Sequence, residues 1–248
     1  MADKLPVLAL LKQGFVLVPK YFRRMLPYFG VMLVILILEG VLNAWLMMGE
    51  QETKALLQGF LLIDGLLSIP LSNSIIRLII QGEQARVGFS FKNEEGLTII
   101  VSLKFLIPLL CIALAVALLG FTTMSLFGQT HPWLAAPVFL PLGLAAGYLI
   151  SRLILVFPAA ALGYSLSQSD CFKLCAGNGW QLLALFAAEL LVVNAPDIIS
   201  AALFGDGVTT ALVKVATGLL SLVLNPILLA LAFQHLMPDE EYAPAANI

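Results

Sequence analysis

Seven polar side chains interrupt long apolar runs in this 248-residue sequence: Glu39, Asp64, Arg152, Glu189, Asn194, Asp197 and Lys214. Carboxylates and cations in apolar surroundings can relay protons, bind ions or neutralise one another. Neutralisation is expected first, because a lone charge at the centre of a bilayer costs at least ~2.5–3.5 kcal/mol. The positions of these residues along their runs predict two pairs, Asp197 with Lys214 and Glu189 with Arg152. In the segment Asn-Ala-Pro-Asp, the Asn194 amide, a kink at Pro196 and the Asp197 carboxylate meet. Together with Lys214 they would make a polar midplane site of the sort a small transporter or channel uses. Glu39 and Asp64 have no obvious cation, and either protonation or a hydrated cavity would accommodate them.

Other chemistries find no support. HExxH, GxSxG, P-loop and Rossmann glycine patterns are absent, so no catalytic or cofactor-binding residue is predicted and the chain reads as non-enzymatic. Cys171 and Cys175 have the i,i+4 spacing of one helix face. Neither His131 nor His235 stands near them in sequence, so no metal ligand set is predicted, and three cysteines are too few for a disulfide framework. A net charge of −2, with no Lys/Arg stripe interleaved by aromatics, excludes a nucleic-acid partner.

The elements that carry the seven residues are apolar enough to be membrane helices. Apolar residues make up 60% of the chain and charged ones 11%, against roughly 45–50% and about 25% in soluble domains. Six runs, at 28–48, 55–80, 97–121, 133–162, 180–204 and 208–236, are each long enough to cross ~30 Å of hydrocarbon as a helix. Helices are expected because an unpaired backbone amide in lipid costs several kcal/mol. Trp133 and Trp180 open two of the runs, as interfacial anchors do. The predicted fold class is therefore all-α, a multi-pass integral membrane protein of six transmembrane helices forming one domain over residues 1–237. Ten of the thirteen Lys and Arg residues fall on one side of this plan, which places both termini in the cytoplasm.

Around the spans, residues 1–26 read as an amphipathic helix in the headgroup plane, with Leu8, Leu11, Phe15, Val18 and Phe22 on one face and a break at Pro19. Further interfacial helices are expected before spans 3 and 5. Phe15, Phe89 and Tyr164 recur at intervals of 74 and 75 residues, which suggests a threefold internal repeat of interfacial helix plus hairpin. Residues 238–248 are acidic, contain proline and read as a disordered cytoplasmic tail. Prolines 70, 108, 141, 158, 196 and 226 predict bends, read as curvature in a bundle before hinges. Gly143 and Gly147, with Ala159 to Ala161 beyond them, predict close helix approach.

The stretch from Arg152 to Phe186 resembles a pattern of the YciC-like group of bacterial inner-membrane proteins, similar also to the membrane domain of some glycerophosphodiester phosphodiesterases. The residues that carry it are Arg152, Pro158, Ala159, Ser165, Leu166, Gly177, Asn178 and Trp180. Ser169-Asp170-Cys171 departs from the acid-alanine pair usual after Ser-Leu. The resemblance implies a multi-pass protein of the bacterial inner (cytoplasmic) membrane, and the group's motif carries no established chemistry. The expected role is envelope organisation, stress response or lipid homeostasis, with membrane lipids and other membrane proteins as partners. The alternative is the small transporter or channel built on Asp197 and Lys214. Nothing in the sequence sets an oligomeric state.

Overall fold

The computed structural model describes residues 4–47, 68–82, 85, 93–127, 136–164, 166–205 and 207–237. Among these, all regular structure is helical: α1 Val7–Met47, α2 over residues 68–81, α3 Asn93–Phe127, α4 Ala136–Leu153, α5 Val156–Ala161, α6 Gln168–Leu174, α7 Gly179–Phe204 and α8 Val208–Leu236. Three stretches are long and apolar enough to cross a membrane: Pro141–Ala161, Gly179–Phe204 and Leu212–Leu236. The outward faces of α3 and α7 carry exposed Leu and Ile, with Leu191 and Leu203 each 70% accessible. Such faces suit a lipid solvent, in which side-chain apolarity imposes no hydration cost.

The second half of α8 is the centre of the core. From Val223 to Phe233 nearly every apolar side chain is buried, so this helix is apolar all round because it is surrounded all round. α1, α5 and α7 pack directly on it. The approach of α1 is close at Gly14, where a Cβ would lie 2.7 Å from Leu228 Cδ2. Leu71, Ile75, Ile76 and Leu78 of α2 join the same core.

The N-terminal segment departs from the expected free interfacial helix. α1 runs unbroken through Pro19 and Pro27, and Leu10, Tyr21 and Met25 are buried in the α8 core. Leu11, Phe15, Val18 and Phe22 pack partly against that core, whereas Leu8 is 81% exposed. Packing along the stripe outweighs the hydrogen bond lost at each proline. The N–H of Leu5 also donates to Oδ1 of buried Asn178, which pins this end to the start of α7.

Helix breaks follow chemistry rather than proline count. Pro158 has no N–H for the Ile154 carbonyl, which accepts instead from Phe157 N at 3.1 Å, and the helix steps from α4 to α5 there. α7 and α8 continue through Pro196 and Pro226. α5 stops in a Schellman turn, with Tyr164 N donating to Ala159 O and Gly163 at φ +88. α6 then opens on a capping box: Ser167 Oγ accepts from Asp170 N at 3.2 Å, and Asp170 Oδ2 accepts from Ser167 N at 3.3 Å.

The threefold repeat finds no counterpart among the described residues. Phe15 sits inside α1 instead of opening it, and Tyr164 lies in the turn after α5; Phe89 is outside the described residues. Of the six expected spans, residue 48 of the first, 55–67 of the second and 133–135 of the fourth, with Trp133 among them, lie outside the described residues, as does the whole tail 238–248. The small-residue face is half realised: a Cβ on Gly147 would meet Leu183 of α7 at 3.1 Å, while one on Gly143 would meet nothing within 4 Å.

Candidate functional site

Polar residues inside the bundle form two layers joined at Asn225. In the first, α2 and α3 run side by side and present polar groups one helical turn apart. Arg77 pairs with Glu95, and one turn further Asn73 Nδ2 donates to Thr98 Oγ1 at 2.9 Å. Arg77 is 7% and Glu95 0% exposed, so the ion pair is buried. Ser72, Asn73, Thr98 and Ser102 line a cavity of about 210 Å3 that is closed on the α8 side by Asn225 and Pro226.

In the second layer Glu189 of α7 is 5% exposed and accepts from Asn225 Nδ2 at 3.4 Å. It faces a cavity of about 340 Å3 with Ser151, Asn194, Ser221 and Asn225 on the walls. Ile154 and Asn225 border both cavities, so an α8 amide stands between the buried acid and the serine and threonine layer. Asn194 also donates from Nδ2 to Leu190 O at 2.7 Å.

Neither expected ion pair forms. Arg152 leaves Glu189 and lies over the rings of Tyr148 and Phe172, with centroids at 5.5 and 4.6 Å. Its Nη2 donates to the Phe172 carbonyl, and Nη1 lies 3.4 Å from the Tyr148 hydroxyl. Arg152 closes the C-terminal end of α4, where aromatic faces and the carbonyl of α6 serve a planar cation well. Asp197 Oδ1 takes the hydroxyl of Thr217 at 2.9 Å, and exposed Lys214, three residues earlier on α8, joins no ion pair among the described residues. Height along a helix does not fix the azimuth, and here Thr217 shares the height and the face with Asp197. The side chain of Glu39 and the whole of Asp64 lie outside the described residues.

A third space opens on the flank. Between α3 and α5–α6 lies a cleft of about 600 Å3, with Val101 and Val156 in its floor and Lys104, Ser167, Gln168 and Asp170 on its wall. The hydrogen bond from Ser167 holds the Asp170 carboxyl below its usual range, with the Lys173 ammonium nearby adding to this. Cys171 and Cys175 of α6 are both buried, and Cys175 Sγ lies 3.5 Å from the Arg152 carbonyl. Burial, then the neighbouring Cys175 and Asp170, push the Cys171 thiol up from 9.0 to about 12. Burial likewise pushes Cys175 up to about 11, against the opposing pull of Arg152.

The thiols are therefore structural and not nucleophilic. Between pH about 9 and about 12 the unfolded chain gives up the Cys171 proton before the folded one does, so stability is full below 9 and falls above it. The unfolding midpoint of the detergent-solubilised protein is expected to drop from pH 8.5 to 11, and Cys171→Ala to flatten that drop. Parallel pH profiles for the two proteins would contradict this account.

Sequence reasoning missed Glu95, Asn73, Thr98 and Asn225. Asn73 and Arg77 have helical i,i+4 spacing within an apolar run, and Glu95 and Thr98 have i,i+3 spacing across the start of the next one; either pattern marks a shared face. Comparison with known proteins, by family model, by curated sequence and by solved structure, returns no match. Among the described residues, the helical fold with three stretches apolar enough to cross a membrane thus stands on its own geometry.

Proposed function

We propose that the chain is a non-enzymatic, six-span protein of the bacterial inner membrane, with both termini cytoplasmic, related to the YciC-like group and serving lipid homeostasis and envelope organisation. The observation that carries this reading is a surface of exposed Leu, Ile and Val on α3 and α7, combined with a mostly apolar cleft that opens beside the exposed Ile100 and Ile107 of α3. Lipids are its first partners and other membrane proteins its second. In cells lacking the protein, the phospholipid composition or the survival of envelope stress should change and should recover when the wild-type chain is restored. Unchanged lipid profiles and unchanged stress survival would defeat the proposal. A reporter fused after Ile248 should be accessible from the cytoplasm.

A second reading, a small permease, is favoured by Glu189 facing its cavity, which moves the polar midplane site from Asp197 and Lys214 to Glu189 and Asn225. Proteoliposomes containing wild-type protein would then show proton or cation flux that Glu189→Gln abolishes while leaving helicity unchanged. Absence of flux in wild-type vesicles removes this reading and leaves the first intact.

A further inference from the structure

We propose that the cleft between α3 and α5–α6 binds a single phospholipid with a zwitterionic, primary-amine headgroup of the phosphoethanolamine class. This deepens the lipid-homeostasis reading and rests on the chain lying in a membrane. The cleft is about 600 Å3, within the range of small-molecule sites, and most of its wall is apolar. Val101 and Val156 make a floor continuous with Ala160 and Cys171, a small cluster separate from the main core. Phe105 meets Phe157 edge-on at 5.5 Å, which gives the wall a rigid side. Ile100 and Ile107 on the α3 side are exposed, so the cleft opens laterally and not into the bundle. An acyl chain entering from the bilayer would cover these side chains.

The polar wall selects the headgroup by its signs. Lys104 is exposed and joins no ion pair among the described residues. Its long stem lets the ammonium reach a phosphate at the interface while the methylenes stay in the apolar layer. Asp170 supplies the opposite sign at the same cleft. One of its oxygens accepts from Ser167, and the other has only the exposed Lys173 ammonium at 3.9 Å, a contact of little net worth that a ligand can replace. A phosphate on Lys104 and an ammonium on Asp170 satisfy both charges. A primary ammonium offers three N–H donors to the carboxylate, whereas a choline offers none. A headgroup with a net negative charge would set that charge beside Asp170, which works against it.

The test uses the full chain purified in detergent and native mass spectrometry after titration with dioleoyl phosphatidylethanolamine, phosphatidylcholine or phosphatidylglycerol. Wild type should retain one phosphatidylethanolamine, with at least about tenfold weaker retention of phosphatidylglycerol and an intermediate result for phosphatidylcholine. Asp170→Asn should erase the preference, and Lys104→Gln should weaken all three lipids about tenfold. Ile100→Trp, which fills the mouth of the cleft from an exposed position, should remove the bound lipid while circular dichroism stays native. Equal or stronger retention of phosphatidylglycerol by wild type, an unchanged preference in Asp170→Asn, or full binding in Ile100→Trp would each overturn the proposal. Failure of the membrane reading itself would look different: the chain would stay monodisperse with no detergent present.

Discussion

Glu95→Ala should be the most damaging single substitution in the chain, lowering stability by about 3–5 kcal/mol, because it leaves the Arg77 guanidinium buried without its counter-ion. Glu95 is fully buried, and the Nε of Arg77 already lacks a hydrogen-bond partner, so no spare acceptor is at hand to take over. Arg77→Ala takes the counter-charge from the buried Glu95 carboxylate and should also destabilise the fold. The double variant Arg77→Ala/Glu95→Ala should cost clearly less than the sum of the two single changes, since removing both charges removes the desolvation penalty along with the attraction. The measurement is reversible unfolding of the detergent-solubilised protein in a double-mutant cycle. Additive losses across the cycle would mean that the pair contributes nothing as a pair. The pair ties α2 to α3, and one turn away the Asn73 to Thr98 hydrogen bond repeats that tie, so α3 should loosen first in the single variants.

Gly179→Val should come next, at about 1–3 kcal/mol from overpacking. A Cβ at this position would lie 2.6 Å from Tyr148 Cε2 and 2.8 Å from Cζ and Oη. A phenol ring cannot bend away as the end of a leucine can. Tyr148 is also held on both sides, by Trp180 with ring centroids at 4.9 Å and by the Arg152 guanidinium. Moving the ring therefore disturbs the cation on α4 and its grip on the Phe172 carbonyl of α6. Adding Tyr148→Ala to Gly179→Val should relieve the clash and recover part of the stability. Gly143→Val, where nothing lies within 4 Å, should be close to neutral. If Gly179→Val and Gly143→Val prove equally mild in thermal unfolding, the close approach of α7 to Tyr148 is not a constraint.

The sequence made the apolar helices legible because length and composition alone decide them. It did not single out Pro158, where the helix steps, from Pro196 and Pro226, which lack the same N–H and leave their helices continuous. What it hid was rotation about the helix axes. Glu189 with Arg152 and Asp197 with Lys214 were matched by height, and each acid instead found a neutral donor, Asn225 and Thr217, on the face that meets it. Glu95 was overlooked because it sits in the polar lead-in Asn-Glu-Glu-Gly, yet that lead-in is the first turn of α3 and its second acid points inward. The capping box is legible in the spacing Ser167-x-x-Asp170. The N-terminal segment shows the converse: its amphipathicity is the same whether the apolar stripe meets lipid or another helix, and here the stripe packs on α8.

The arrangement around α8 also sets the order of events during synthesis. About 200 positions separate the start of α1 from the start of the helix it packs on, and at roughly 5–20 residues per second the ribosome needs some 10–40 s to cover them. Until then Leu10, Tyr21, Met25 and the α2 leucines have no permanent neighbour. The nascent chain therefore spends that interval without the helix its earlier segments pack on, and consolidates only when that keystone arrives.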